Sequence, residues 1–317
     1  MINNVTITDT GLPLMVALEG DVSPGDLISW KKDNEDWLES RLLVNGAILL
    51  SNTGIETVED FDLVIRNITG PPLNYKDGFS PRTRLSASTY TSTEYDAEFS
   101  ITMHNELSYS AKWPSRLFFC CITPCESGGE TTIADCRKIL RGFRSGLLDE
   151  LETKGVKYVR NLHAGIGAGP SWQQTYETDS ATEVERFCRQ HDIHFAWKPD
   201  GGIRLTQFRP AIITHPVTGE KVWFNQVDQF HPSHLDEDIY ESLKLMYDSE
   251  EDMPMYGAFG DGSGISDEKI REIRETVDRH IVRNPWRKGD LLMVDNVLVC
   301  HGRSPYKGNR KIVVAMT

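Results

Sequence analysis

The chain has 317 residues, of which 39% are hydrophobic and 26% charged, so it carries enough apolar material for a sizeable core and is not a disordered chain. The formal net charge of −13 argues against a nucleic-acid partner, and six cysteines without a C-x-x-C spacing argue against a disulfide framework. Without a secretory leader or an apolar run of about 18 residues, we expect a cytoplasmic protein with no membrane partner.

The first part of the chain is predicted to alternate helices with short strands. A helix is expected over 26–42, a strand over 46–52 and a second helix from Thr57 onward. Residues 70–100 are rich in Gly, Pro, Ser and Thr and show little periodicity, which indicates a long ordered loop or lid. The run "SRLFFCCIT", residues 115–123, suits a strand that is buried on both faces.

The second part of the chain shifts from helix to strand. Residues 133–155 are predicted as one helix because apolar residues recur every fourth position, at Ile139, Phe143 and Leu147. From residue 193 onward, segments broken by "DGG" and "VTGE" predict hairpins, and a helix capped by Ser266 precedes two closing strand runs. We therefore expect an α+β fold with an antiparallel jelly-roll or barrel core, in a single domain over 1–317.

One stretch, "ITMHNELSYS", places His104 and Glu106 two positions apart at a predicted strand end. Residues i and i+2 of a strand point to the same side, so the two side chains can offer ligands to one point in space. His301, at the end of the apolar run "LLMVDNVLVCH", is the best candidate for a third ligand. Two histidines and one carboxylate leave coordination positions open, as non-haem Fe(II) oxygenases require.

A basic residue and a hydroxyl residue could bind a carboxylate beside this metal site. Arg310 opens the returning strand "RKIVVAM", where a fixed guanidinium could hold a carboxylate near the metal, and Thr131 could donate its hydroxyl to that carboxylate. Strand alternation sends the rival cation Lys311 to the opposite face.

Five segments carry a family resemblance: "HNE", "GGET", "SWQQTYETD", "HPVTGEKVWFNQ" and "DNVLVCHGRSPYKGNR". Together they resemble the taurine dioxygenase family of Fe(II)/2-oxoglutarate-dependent oxygenases, from about residue 40 to the end. The likeness is greatest to the branch typified by the syringomycin-biosynthesis aspartyl hydroxylase, which uses His-x-Glu where the family's eponym uses His-x-Asp.

The resemblance implies a double-stranded β-helix core with flanking helices and a lid loop. It implies Fe(II) on His104, Glu106 and His301, with dioxygen as oxidant and 2-oxoglutarate held by Thr131 and Arg310. Related halogenases replace the carboxylate ligand by a small residue, whereas Glu106 is present here. Hydroxylation is therefore preferred over halogenation, and desaturation and epoxidation stay open.

The expected substrate is a small amino-acid-like molecule, free or tethered to an acidic carrier protein. Arg82 and Asn225 are candidate substrate contacts, although a loop arginine is more often merely solvated and a satisfied core amide explains Asn225 equally well. A basic stripe of Arg137, Arg141 and Arg144 could dock a carrier or form a solvated helix face. A non-catalytic ligand-binding jelly roll is the competing hypothesis, and zinc hydrolysis a weaker one, because no obvious general base accompanies the triad.

Overall fold

The computed structural model describes residues 1–69, 85–86, 89–92, 95–143 and 146–317. Within these ranges the strands are β1 (Asn4–Asp9), β2 (Leu14–Glu19), β3 (Ala47–Ser51), β4 (Tyr90–Thr91), β5 (Ile101–His104), β6 (Arg116–Thr123), β7 (Ser127–Gly128), β8 (Thr131–Asp135), β9 (Val156–Leu162), β10 (His194–Trp197), β11 (Ile203–Arg209), β12 (Ile212–Thr214), β13 (Lys221–Trp223), β14 (Met255–Phe259), β15 (Leu291–Asp295), β16 (Val299–Arg303), β17 (Tyr306–Lys307) and β18 (Lys311–Met316).

The helices within the same ranges are α1 (Pro24–Asp33), α2 (Glu35–Asn45), α3 (Val58–Ile68), α4 (Cys136–Gly142), α5 (Leu147–Lys154), α6 (Trp172–Tyr176), α7 (Ala181–Gln190), α8 (Val227–Phe230), α9 (Glu237–Met246) and α10 (Asp267–Asp278). Two of the predicted helix starts are confirmed. Thr57 caps α3 in a capping box with Asp60, and the Ser266 side chain accepts the N–H of Lys269 at the start of α10.

The strands form one large sheet and several smaller ones. The large sheet has the order β1-β2-β3-β15-β6-β18-β4, and only its β2–β3 pair is parallel among the described strand pairs. A three-stranded sheet has the order β5-β16-β8, and a four-stranded sheet has the order β10-β11-β9-β14. This antiparallel arrangement, with helices outside, is the architecture expected from the sequence.

The large sheet is covered on both faces, as the continuous apolar run of β6 predicts. Phe118 and Cys120 of β6 pack in one cluster with residues of α1, α2 and α3. Leu117, Phe119 and Cys121 point the other way, into a second cluster that also contains residues of β5, β8 and β16. The core between the two sheets therefore lies directly beneath the strands that carry the candidate ligands.

Two helix predictions are wrong in their extent. The segment 26–42 contains two helices, because Asn34 leaves the helical conformation between α1 and α2. The segment 133–155 also contains two: α4 ends at Gly142, Phe143 has extended backbone angles, and α5 begins at Leu147. The four-residue spacing arose because side chains on successive elements point to one core, in which Phe143 stacks on Trp223.

Two further sequence expectations concern the cysteines and the loop over 70–100. Each of the six cysteines is a free thiol, and five are buried, as expected for packing residues. The greater part of the predicted loop or lid lies outside the described residues. In the part of the chain that is described, no helix has the length and apolar character needed to cross a membrane.

Candidate active site

His104 and His301 face each other across two paired strands. His104 is the last residue of β5, and His301 lies in the middle of β16, directly opposite in the antiparallel register. Their ring centroids are 4.3 Å apart. The prediction that His301 ends its strand is wrong, because the run 291–301 is divided into β15 and β16 by a turn. Strand pairing, not a strand end, brings the two imidazoles together.

Glu106 reaches the same point from a turn. The strand ends at His104, so the alternation argument that placed Glu106 on β5 is wrong, although the side chain arrives at the expected place. The main chain of Glu106 is held by the buried side chain of Asn296: Oδ1 accepts the Glu106 N–H at 2.8 Å and Nδ2 donates to the Glu106 carbonyl at 3.0 Å. Asn296 belongs to the turn between β15 and β16, so one turn positions another.

The three side chains form a donor set that fits a divalent metal ion. Their ligand atoms all lie within 4.8 Å of one another, and all three residues are buried. His301 Nε2 is 3.8 Å from Glu106 Oε2. His104 Nδ1 lies 2.8 Å from the Thr102 carbonyl, which can only accept, so Nδ1 carries the proton and Nε2 keeps its lone pair. A carbonyl contact of this kind orients a ligating histidine.

A small cavity extends from the two histidines to the predicted co-substrate residues. Its lining includes His104, His301, Thr131, Phe119 and Arg310. Thr131 is the first residue of β8 and is buried, and its hydroxyl accepts the indole N–H of Trp286 at 3.3 Å. The structure thus brings together all five residues that the sequence analysis assigned to the metal and to 2-oxoglutarate.

Arg310 keeps its charge although it is partly buried. Its Nε donates to the Gly129 carbonyl at 2.9 Å, its Nη1 donates to Ser92 Oγ at 3.2 Å, and its guanidinium lies 5.6 Å from the Tyr306 ring. Burial, and then the nearby Arg303, lower the pKa of Arg310 to about 10, which still leaves it protonated at neutral pH. Lys311 is exposed, as strand alternation predicts.

A second, larger cavity of about 430 Å³ also adjoins His104. Apolar side chains dominate its lining, among them Phe99, Leu235, Ile239 and Met255. Phe99 and Ile239 are 56% and 49% exposed, which is high for large apolar side chains. An exposed apolar surface beside a candidate metal centre is typical of a site that receives a ligand.

The two candidate substrate residues gain no support from the structure. Arg82 lies outside the described residues. Asn225 is 3% exposed, and its amide is used by the backbone: Nδ2 donates to the Ala211 carbonyl at 2.9 Å and Oδ1 accepts the Val227 N–H at 3.2 Å. Its side chain therefore serves the connection between β13 and α8.

The predicted basic stripe is wrong at its first residue. Arg137 is 8% exposed and is bound by Asp135 at 2.9 Å and by Glu220 at 3.1 Å. Its Nη groups also donate to the carbonyls of Leu43 and Val44. Arg141 is exposed, α4 ends one residue later, and Arg144 lies outside the described residues. Charge spacing alone could not separate a buried structural arginine from a surface one.

Two important residues were not identified from the sequence. Asn296 is fully buried within an apolar run, and a polar residue in such a run was the available signal. Arg303 lies two positions after His301 on β16 and lines the same small cavity, so strand alternation could have indicated it.

Comparison with known proteins yields one family and several relatives. The family model described as "Taurine catabolism dioxygenase TauD, TfdA family" matches residues 8–316. The dapdiamide synthesis protein DdaC of Enterobacter agglomerans is 31% identical over 88% of this chain and 84% of the relative. A clavaminate synthase-like protein of Arabidopsis thaliana is 26% identical over 90% of this chain and 85% of the relative.

Solved structures show the same fold. PvcB of Pseudomonas aeruginosa superposes with a TM-score of 0.57 at 13% identity, covering 100% of this chain and 92% of PvcB. A second structure of PvcB, with a TM-score of 0.55, describes it as an Fe, alpha-ketoglutarate dependent oxygenase from an isonitrile synthetic pathway. The jelly-roll core with flanking helices is thereby confirmed, and so is the family resemblance drawn from the sequence.

Proposed function

Because the chain belongs to the taurine catabolism dioxygenase TauD, TfdA family and is a 2-oxoglutarate-dependent non-haem iron dioxygenase, we propose that it hydroxylates an unactivated C–H bond of an amino acid or amino-acid-derived group. The observation that carries this proposal is the buried donor set of His104, Glu106 and His301, whose two histidines line one cavity with Thr131 and Arg310. We propose these five residues as the ligands of Fe(II) and 2-oxoglutarate.

Each protein group has a defined task in this proposal. His104, Glu106 and His301 would hold Fe(II), which would supply the oxidising chemistry with dioxygen as oxidant and 2-oxoglutarate as co-substrate. Arg310 binds the distal carboxylate of 2-oxoglutarate, and the Thr131 hydroxyl donates a second hydrogen bond to it. The burial of the three ligands keeps bulk water away from the reacting centre.

Hydroxylation is favoured over halogenation by the ligand set. Glu106 occupies the third ligand position, so no ligand position is left for a chloride ion in its place. Desaturation and epoxidation use the same ligands, and the identity of the product separates them from hydroxylation.

The substrate class is supported by the relatives and by the second cavity. DdaC is named for dapdiamide synthesis and PvcB for an isonitrile pathway, which supports a role in natural-product biosynthesis. The cavity next to His104 has the volume and apolar lining of a small-molecule site. Without the basic stripe, the carrier-bound form of the substrate rests on the family resemblance alone.

The test is a screen for iron-dependent succinate formation. The protein is loaded with Fe(II) and supplied with 2-oxoglutarate, dioxygen and either free amino acids or carrier-loaded aminoacyl groups, and products are measured by mass spectrometry. We expect succinate and a product heavier by one oxygen atom. Zn(II)-loaded protein is the control, and a product formed with Zn(II) would support hydrolysis instead. No succinate with Fe(II) under any of these conditions would contradict the proposal.

A further inference from the structure

Arg303 stands beside the candidate metal centre and makes contacts that the proposed chemistry does not explain. It is two residues after His301 on β16, on the same side of the strand, and is 4% exposed. Its guanidinium donates three hydrogen bonds, all to carbonyls of one short segment: to Tyr95 at 3.0 Å, to Asp96 at 2.7 Å and to Phe99 at 2.8 Å.

The segment that Arg303 holds, residues 95–99, is part of the wall of the second cavity. Tyr95 and Phe99 line that cavity together with His104. The segment makes few regular contacts of its own: the Phe99 N–H donates to the Asp96 carbonyl at 3.2 Å, and the Tyr306 N–H donates to the Ala97 carbonyl at 2.8 Å. It belongs to none of the described helices or strands. The guanidinium supplies three of the described hydrogen bonds that hold it.

The chemistry of the contact requires arginine. A planar guanidinium presents five N–H donors in a fixed fork, so one side chain can bind three carbonyls of a curved segment at once, whereas a lysine ammonium is a single compact donor group. Among the described residues no carboxylate lies within ion-pair distance of Arg303, and its guanidinium lies 5.0 Å from the Tyr306 ring. The charge is met by carbonyl dipoles and an aromatic face.

We propose that Arg303 is a positioning residue that fastens segment 95–99 to the strand bearing His301, and so fixes the substrate-side wall at a constant distance from the metal ligands. The inference about the fastening rests on geometry alone, and its consequence for the reaction rests on the proposed function. The substrate wall and the metal ligand then move as one unit, because His301 and the guanidinium share one strand.

The first experiment measures the fastening itself, by hydrogen–deuterium exchange of wild type and Arg303→Lys. We expect the amides of Phe99 and Tyr306 to exchange at least about tenfold faster in the variant, since the carbonyl contacts that hold the segment are lost. The matched control is Arg209→Lys, because Arg209 is also a buried arginine that donates to three carbonyls, those of Phe208, His191 and Asp192. Exchange in segment 95–99 should be unaffected by the control.

The second experiment separates positioning from co-substrate binding. The affinity for 2-oxoglutarate, measured by anaerobic titration of the Fe(II) protein, should stay within about threefold of wild type in Arg303→Lys, because the guanidinium is used by the segment. Substrate-free succinate formation should rise about threefold or more, because a displaced wall admits water to the site. Arg209→Lys should change neither quantity.

Three outcomes overturn the inference. Unchanged exchange at the amides of Phe99 and Tyr306 would show that Arg303 does not hold segment 95–99 in place. A loss of 2-oxoglutarate affinity of roughly a hundredfold, as expected when a charge-assisted contact to the co-substrate is removed, would show that Arg303 is a co-substrate ligand instead. Faster exchange with unchanged succinate formation makes the contact merely structural. If the wild type fails to bind 2-oxoglutarate at all, the proposed function fails, and the exchange measurement still decides whether Arg303 fastens the segment.

Discussion

The two cavities that meet at His104 are built in different ways. The metal side draws its residues from paired strands and from a turn clamped by Asn296, and its three ligands are 3% to 7% exposed. The substrate side combines residues of β5 and β14 with segment 95–99, the turn before α9 and α9 itself, where Phe99 and Ile239 are half exposed. Geometry on one side is fixed by backbone pairing, and on the other by side-chain contacts such as those of Arg303.

This difference assigns the metal chemistry to the part of the site fixed by strand pairing, and substrate recognition to the part formed by loops. A metal centre requires ligand atoms held to within fractions of an ångström, which strand register provides. A substrate wall made of loops can change in sequence without disturbing that register. Variants on the metal side should therefore act on cofactor binding, and variants on the substrate side should leave it intact.

The largest effect is expected for Glu106→Ala. Removing the anionic ligand should weaken Fe(II) retention and reduce succinate formation below detection, because two neutral imidazoles remain to hold the ion. Metal content after dialysis and succinate formation are the measurements. Glu268→Ala, an exposed carboxylate on α10, is the control and should behave like wild type. Normal turnover in Glu106→Ala would remove Glu106 from the ligand set.

Arg310→Leu tests the other end of the same cavity. Loss of a partly buried, charge-assisted contact should weaken 2-oxoglutarate binding by roughly a hundredfold while Fe(II) is retained. The measurement is an anaerobic titration of the Fe(II) protein with 2-oxoglutarate. Lys311→Leu is the matched control, since it removes a cation one residue away on the exposed face. An effect of Lys311→Leu as large as that of Arg310→Leu would contradict the assignment of Arg310 as the specific ligand of 2-oxoglutarate.

A smaller effect is expected for Asn296→Ala, which leaves all three ligands in place. The variant leaves the Glu106 N–H without its acceptor, so Fe(II) affinity should fall about tenfold as the carboxylate loses its orientation. Competition with a chelator measures this affinity. Asn161→Ala removes a comparable buried amide, which donates to the Glu251 and Met253 carbonyls, and should reduce stability without changing metal affinity. Equal metal affinities in the two variants would show that Asn296 acts only on stability.

Much of the metal side could be predicted from the sequence, for a reason that the structure makes clear. His104, Glu106, His301, Thr131 and Arg310 lie in or next to strands, where side-chain direction follows from chain position. Two details still differ from the prediction, since Glu106 lies in a turn and His301 lies within a strand. The residues converge because β5 and β16 pair, and pairing joins segments almost 200 positions apart, a distance that no local pattern reports.

The substrate side could not be predicted in the same way. Asn225 and Arg137 carry polar groups that suggested function, yet both serve the fold, because neighbouring backbone groups use their hydrogen-bonding capacity. Whether a polar side chain is free for a ligand depends on the tertiary contacts around it. Arg303 shows the opposite error: it was left unassigned although it binds the wall of the second cavity.

The last prediction concerns a buried acid on the substrate side that should influence stability and leave the site unchanged. Asp228 is 8% exposed, in α8 beside Gln229, which lines the second cavity. Burial raises the pKa of Asp228 to about 6, against an ordinary value of 3.8, even though Arg274 lowers it. Between about pH 4 and pH 6 the folded state therefore binds more protons than the unfolded state, and this group makes the protein less stable as the pH rises through that window.

Asp228→Asn removes the charge while keeping the shape of the side chain. Its free energy of unfolding should match that of wild type near pH 3, below the ordinary pKa, and exceed it by about 3 kcal/mol at pH 7, the equivalent of the shift in pKa. Urea unfolding at both pH values measures this difference, with Asp248→Asn, an exposed carboxylate, as the control that should follow wild type. Fe(II) and 2-oxoglutarate affinities should be unaltered, since Asp228 contacts neither the ligands nor Arg310 among the described contacts. A variant that is equally stabilised at both pH values would contradict the raised pKa, and a loss of cofactor affinity would contradict the independence of the two sides.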